Sequence, residues 1–245
     1  MAIRKLSTPP LRTYDVSTMG CTQNVTYEKK RISEVVPGLQ TLVAKSSGFV
    51  GEISGEDTYR NFLSLKSLQK SGDILIFRGG KITASADFKF EQQPSPNMFF
   101  EIWSNWQGEK DSFNTLGWAL SSLTDYVLYV FDGYPYIAVI SLSHMRKWLG
   151  LKYNQPESID MPALERKFRI RSQGKYQQMN KSVGCLIPFS KLPDDVLVGC
   201  IVMDEFDEWH YVKGQHYAAG LPDTFAGAFK EMPPVDMESR FFELL

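Results

Sequence analysis

Two rhythms of apolar and polar positions run through the chain. Around residues 72–90 the period is short. Gly72-Asp73-Ile74-Leu75-Ile76-Phe77 and Ile82-Thr83-Ala84-Ser85-Ala86-Asp87-Phe88-Lys89-Phe90 read as two strands joined by the Gly-rich hairpin Arg78-Gly79-Gly80-Lys81. Asn97 to Ser104 is a third strand-like run. Val127 to Phe131 and Ile137 to Ile140 are continuous apolar runs, the pattern of buried strands, with Gly133 marking their turn. Val183 to Phe189 and Val196 to Met203 add two more strands, expected on the same sheet. The longer period appears at Tyr59, Phe62, Leu63, Leu65 and Leu68, whose three- and four-residue spacing predicts a helix. Glu56 and Asp57 stand in its first turn, where acids suit the helix dipole. His144 to Leu149 is amphipathic, and Gly117 to Ser122 leads into the Val127 strand. Upstream, Ile32 to Val36 and Leu39 to Ala44 form two apolar patches split by Pro37-Gly38. Gly48 to Gly55 reads as loop and Asn154 to Pro162 as linker.

Helices and strands thus mix, which places the chain in the α+β or α/β class. At 245 residues, with 43% hydrophobic and 22% charged side chains, it has enough apolar mass for one large domain. Residues 1–203 read as that domain and 204–245 as an acidic C-terminal extension. No run approaches the roughly 20 apolar residues that span a bilayer. Met1-Ala2-Ile3-Arg4-Lys5-Leu6 lacks the apolar core of a secretory signal, so a cytoplasmic location is expected. Cys21, Cys185 and Cys200 are widely spaced, with no Cys-x-x-Cys, which argues for reduced thiols over a structural zinc. His144, His210 and His216 show no metal-ligand spacing.

Net charge is −1, but its distribution is uneven. Between Glu165 and Lys181 stand Arg166, Lys167, Arg169, Arg171, Lys175 and Lys181 against one acid, with Phe168 and Tyr176 interleaved. Such a segment can bind phosphates and stack a base, or can simply be a solvated loop. Residues 194–245 hold eleven acids against three cations. That stretch can mimic nucleic-acid charge or dock a protein partner, or be a solubilising surface.

The chemistry concentrates in the hairpin. Asp73 opens one strand, and Asp87 and Lys89 lie two apart on its neighbour, so both leave the same face. Two carboxylates can share a hard cation such as Mg2+, with Mn2+ as a substitute, because such ions take oxygen ligands. An ammonium beside them can orient a water or stabilise phosphate charge. Glu101 sits among Phe99, Phe100, Ile102 and Trp103, where a carboxylate is either exposed on the alternate face or held by a partner or metal.

These elements together resemble the PD-(D/E)XK nuclease superfamily, most closely its small phage-encoded members. The resemblance rests on Gln69-Lys70-Ser71-Gly72-Asp73, then the Asp87-Phe88-Lys89 strand, then Asn97-Met98-Phe99-Phe100-Glu101. It continues with Gly117-Trp118, Asp125-Tyr126-Val127-Leu128-Tyr129 and the helix around Arg146-Lys147-Trp148-Leu149. It covers roughly residues 56–150 and extends toward 203. Gly72 replaces the usual Pro, and Asp87 is the less usual acid. The N-terminal helix acid of the family stays open among Glu34, Glu56 and Asp57. The resemblance implies a restriction-endonuclease-like fold, a central mixed sheet flanked by helices. It also implies DNA phosphodiester hydrolysis, with Asp73, Asp87 and Lys89 catalytic and with Asp73, Asp87, Glu101 and the Phe88 carbonyl around Mg2+. Arg166, Lys167, Arg169, Arg171 and Lys175 would hold the nucleic acid. A non-catalytic relative that binds a host or phage protein is the alternative.

Overall fold

Ile32, Val35, Val36, Leu39, Leu42 and Val43 recur every three or four residues and are all buried along one stripe of helix α1 (Cys21–Ala44). The two apolar patches flanking Pro37 are therefore one continuous element, not two. Proline removes one helical hydrogen bond, and the burial of that stripe outweighs the loss. Gly38 has a packing role: the Trp209 indole rests where a side chain at 38 would stand.

The architecture is taken from a computed structural model that describes residues 21–45, 48–52, 72–91, 95, 97–106, 114–131, 136–174, 181–203 and 209–213. The expected helix over 56–70 and most of the acidic C-terminal segment lie outside the described residues.

Strand β1 (Gly48–Glu52) occupies the stretch expected to be loop, and pairs antiparallel with β2 (Ile74–Arg78). The hairpin through Gly79 and Gly80, with φ of 55° and 76°, carries β2 into β3 (Lys81–Glu91). β4 (Asn97–Asn105), the two-residue β5 (Thr115–Leu116) and the single-turn helix α2 (Trp118–Ser121) follow. They lead to β6 (Tyr126–Phe131) and β7 (Tyr136–Ser141). Helix α3 (Leu142–Leu149) is closed by Gly150. A 3-10 turn at Pro156–Ser158 and helix α4 (Met161–Lys167) take up most of the expected linker. β8 (Arg169–Gly174), β9 (Lys181–Pro188), β10 (Leu197–Met203) and β11 (Trp209–Lys213) complete the described elements.

Among the described residues these strands form two sheets. The central one is mixed, in the order β1-β2-β3-β6-β7-β10-β11, with β3 and β6 its one parallel pair. The other, β5-β4-β9-β8, is antiparallel. β9 and β10 are expected on one sheet but lie in different sheets. β9 pairs with β4 and β8, while β10 pairs with β7 and β11. β11, within the segment read as an extension, forms the outer edge of the central sheet.

The strand alternation explains why the second sheet exists. Ala84, Ala86 and Phe88 of β3, with Leu128, Val130, Ile137 and Val139, face α1 in one core. The intervening Val127, Tyr129 and Phe131, with Ala138 and Ile140, face the other way. That second apolar face needs a cover, and Met98, Phe100 and Ile102 of β4 with Cys185 and Ile187 of β9 provide it. Helix α3 packs Leu142, Met145 and Leu149 into the same core. The fold is α+β, with helix, mixed sheet and antiparallel sheet in layers. Among the described residues no helix is long and apolar enough to cross a membrane.

Candidate functional site

Because Ala86 and Phe88 face α1, Asp87, Lys89 and Glu91 leave β3 on the side of the second sheet. They occupy the positions paired with Val127, Tyr129 and Phe131 in the parallel ladder. The apolar residues there are fully covered, whereas the three polar ones are half-buried, at the rim of the core.

Asp73 reaches this row from β2. It directly precedes the Ile74–Ala86 pairing, and its N–H donates to the Ala86 carbonyl at 2.9 Å. Its carboxylate Oδ2 accepts the Phe88 N–H at 2.7 Å. Asp73 thus touches the chain on both sides of Asp87. Gly72 makes the approach possible. Its φ is +100°, and a side chain there would collide with the Ala86 carbonyl and the Thr124 methyl.

Asp87 is held from the other direction. Its Oδ2 accepts the Ser122 hydroxyl at 2.9 Å. Ser122 Oγ has one proton and gives it to the carboxylate, so the Thr124 hydroxyl, 2.8 Å away, donates to Ser122. The Thr124 N–H donates to the same oxygen at 3.2 Å. The backbone of this segment is gripped by Arg146 of α3. Its Nε donates to the Ala119 carbonyl at 2.7 Å and its terminal nitrogen to the Ser122 carbonyl at 2.5 Å. The guanidinium lies 5.4 Å from the Tyr153 ring centroid, and burial pushes it down to about 10, still charged at neutral pH. One residue further along, Asp125 Oδ2 accepts the N–H and hydroxyl of Ser85 at 2.8 and 2.9 Å, tying the start of β6 to β3.

Lys89 sets its ammonium 5.7 Å from the centroid of the Trp118 ring. It makes no ion pair with the described residues. Trp118 stands edge-on to Phe100, and its backbone N–H points to Glu101 Oε2 at 3.4 Å, a long contact. Trp118 is therefore the meeting point of Lys89 from one sheet and Glu101 from the other. The structure does not bring Glu101 together with Asp73 and Asp87 as one metal-holding cluster. Among the described residues no three His, Cys, Asp or Glu side chains are so placed.

Glu91 extends the row beyond Lys89. Its Oε1 accepts the Tyr129 hydroxyl at 2.5 Å, and that hydroxyl accepts the Phe99 N–H at 2.9 Å, so one phenol joins both sheets. Burial raises the Glu91 carboxyl above its usual range, against the hydrogen bond from Tyr129 and the positive charge of Arg171. Burial likewise raises the Tyr129 phenol well above 10 and keeps it a donor.

The basic residues are exposed. Arg166 and Lys167 end α4, while Arg169 and Arg171 stand on β8 at the edge of the second sheet. Arg171 pairs with Gly184, which pairs in turn with Glu101, so Arg171 and Glu101 share one sheet face. Glu56, Asp57 and Lys175 lie outside the described residues. Glu34, the third candidate for a helix acid, is ion-paired with Arg31 and Lys30 on α1.

Ser122, Arg146, Trp118 and Tyr129 were not legible as site residues. Ser122, Trp118 and Tyr129 meet Asp87, Lys89 and Glu91 across long chain separations, Arg146 reaches them only through the Ser122 segment, and no local spacing announces them. Glu91 was within reach of sequence reasoning, since it continues the alternation of Asp87 and Lys89. No protein-family model, curated protein or solved structure matches the chain.

Proposed function

We propose that the chain is a metal-dependent nuclease of the PD-(D/E)XK type, acting on DNA. One observation carries this reading: Asp73 spans the backbone either side of Asp87, with Lys89 next on the same strand face and outside any ion pair among the described residues.

The donor set fits Mg2+, a hard cation that takes carboxylate and carbonyl oxygens and retains several waters. Asp73 and Asp87 would hold it, with the Phe88 carbonyl completing the set that the family resemblance implies. A bound Mg2+ supplies Lewis-acid polarisation of the scissile phosphate. Lys89 then has two uses, orienting the attacking water and offsetting charge on the phosphate. Its position over Trp118 restrains a flexible side chain that pairs with no carboxylate among the described residues. Glu101 faces the backbone N–H of Trp118, the residue whose ring Lys89 overlies. Arg169 and Arg171 place positive charge on the sheet face that Glu101 shares, a surface for the phosphate backbone.

The test is digestion of linear, circular and single-stranded DNA with Mg2+ or Mn2+ and with EDTA, beside Asp87→Ala and Lys89→Ala. Metal-dependent cutting that both substitutions abolish supports the reading. Folded protein that cuts no form of DNA in either metal overturns it and favours a protein-binding role.

A further inference from the structure

Arg146 is buried, and its contacts among the described residues are two backbone carbonyls and one aromatic ring. A cation in such a place is costly unless it fixes something. What it fixes is the segment from Ala119 to Ser122, by a fork that matches two carbonyls three residues apart. That segment delivers a single side-chain hydrogen bond to the hairpin, from Ser122 to Asp87. Every other donor around Ser122 Oγ points inward, from the hydroxyl and N–H of Thr124. With those donors in place, the Ser122 proton has one acceptor, the Asp87 carboxylate. Among the described residues this is also the one hydrogen bond to the Asp87 side chain.

We propose that Ser122, locked by Arg146, is a positioning residue: it orients the Asp87 carboxylate and thereby sets the affinity of the hairpin for a divalent cation. The inference rests on the metal-site reading above. Groups that orient a ligating carboxylate typically change metal affinity by roughly 10–100-fold when removed. Ser122 touches neither substrate nor metal in this scheme. Its effect passes entirely through Asp87, which makes it separable from a general contribution to folding.

Mn2+ binding to the full chain, followed by the loss of the free-ion electron paramagnetic resonance signal, tests this without any need for cleavage. Ser122→Ala is expected to weaken binding roughly tenfold. In an Asp87→Ala background the same substitution is expected to have no further effect. Ser122→Thr, which keeps the hydroxyl, is expected to bind as the wild type does. Wild-type affinity in Ser122→Ala, or an equal loss in the Asp87→Ala background, overturns the inference and leaves the metal site standing. If Ser122→Ala does not fold, Ser122→Cys takes its place, close in size but a poor donor: weaker binding that disappears in the Asp87→Ala background supports the inference, and wild-type affinity overturns it. A wild-type chain that takes up no Mn2+ overturns the metal-site reading itself, and this inference with it.

Discussion

The Asp73 carboxylate accepts the backbone N–H of Phe88 at 2.7 Å, at the point where the β2 ladder ends. The side chain therefore replaces a missing backbone acceptor as well as bearing charge, and the two roles can be separated. Asp73→Asn keeps an oxygen for the Phe88 N–H and removes the charge. Its unfolding free energy should stay within about 0.5 kcal/mol of wild type, while metal-dependent cleavage disappears. Asp73→Ala loses both, and should cost about 1–3 kcal/mol as well, the range for leaving a covered donor without its partner. Urea denaturation of the two variants, beside a plasmid-cleavage assay, distinguishes them. Equal stability losses would show that the hydrogen bond contributes little.

Gly72 is the second fixed point. At φ +100° any other residue is strained, and a Cβ would press on the Ala86 carbonyl and the Thr124 methyl. Strain of this type costs on the order of 1–3 kcal/mol before any collision is counted. Gly72→Ala should therefore destabilise by at least about 2 kcal/mol. Asp73 would move with its neighbour, so activity should fall further than stability alone explains. Chemical denaturation gives the first quantity, and cleavage at a temperature where the variant is folded gives the second. A Gly72→Ala protein as stable as wild type would rule out this backbone conformation.

What the sequence shows and what it hides divide along physical lines. That Asp73 lies beside the Asp87-Phe88-Lys89 strand is legible because a strand has period two and a Gly-Gly hairpin makes the two strands neighbours. The buried runs of β6 and β7 were legible because both their faces are covered. Sheet membership was not: Val183–Phe189 and Val196–Met203 have the same apolar character, and nothing local tells β9 from β10. Pro37-Gly38 looked like a break because local propensity there opposes helix. The pattern Ile32, Val35, Val36, Leu39, Leu42, Val43 was the stronger signal, and burial of that stripe decided the outcome. Ser122 and Arg146 show the limit most clearly. Ser122 reaches Asp87 across 35 residues, and Arg146 reaches Ser122 and Ala119 across 24 and 27. A hydrogen bond made across such a distance leaves no spacing to read.

Glu91 carries a pH dependence whose sign follows from its surroundings. Burial raises its carboxyl above 4.5, so the folded state holds the proton more tightly than the unfolded chain does. The stability linked to the neutral form is complete below the unfolded value. It is lost as pH rises through the folded one. Above that range the wild type carries a half-buried charge, relieved in part by Tyr129 and Arg171. Glu91→Gln removes the charge and keeps an oxygen for the Tyr129 hydroxyl. Its melting temperature should match wild type near pH 4 and exceed it at pH 7, with the difference opening between them. A Gln variant less stable than wild type at pH 7 would mean that Arg171 more than offsets the cost of burial.

Arg169 and Arg171 offer a test of nucleic-acid binding independent of catalysis. They are two apart on edge strand β8, about 6.7 Å along it, and both are exposed. The flanking sheet face bears Glu101, so a backbone laid there meets positive charge on β8 and negative charge two strands away on β4. Phosphate contacts release counterions, and each one steepens the salt dependence of duplex binding by about 0.9 in the log–log slope. If both arginines contact phosphates, the paired substitution Arg169→Ala and Arg171→Ala should reduce that slope by about 1.8. It should weaken binding to all sequences alike, because such contacts read no bases. Fluorescence anisotropy of labelled duplex in EDTA, titrated from low to moderate salt, measures the slope while cleavage is blocked. An unchanged slope would remove β8 from the binding surface. Weakened binding with an unchanged slope would mean that the substitutions disturb the edge of the sheet without removing phosphate contacts.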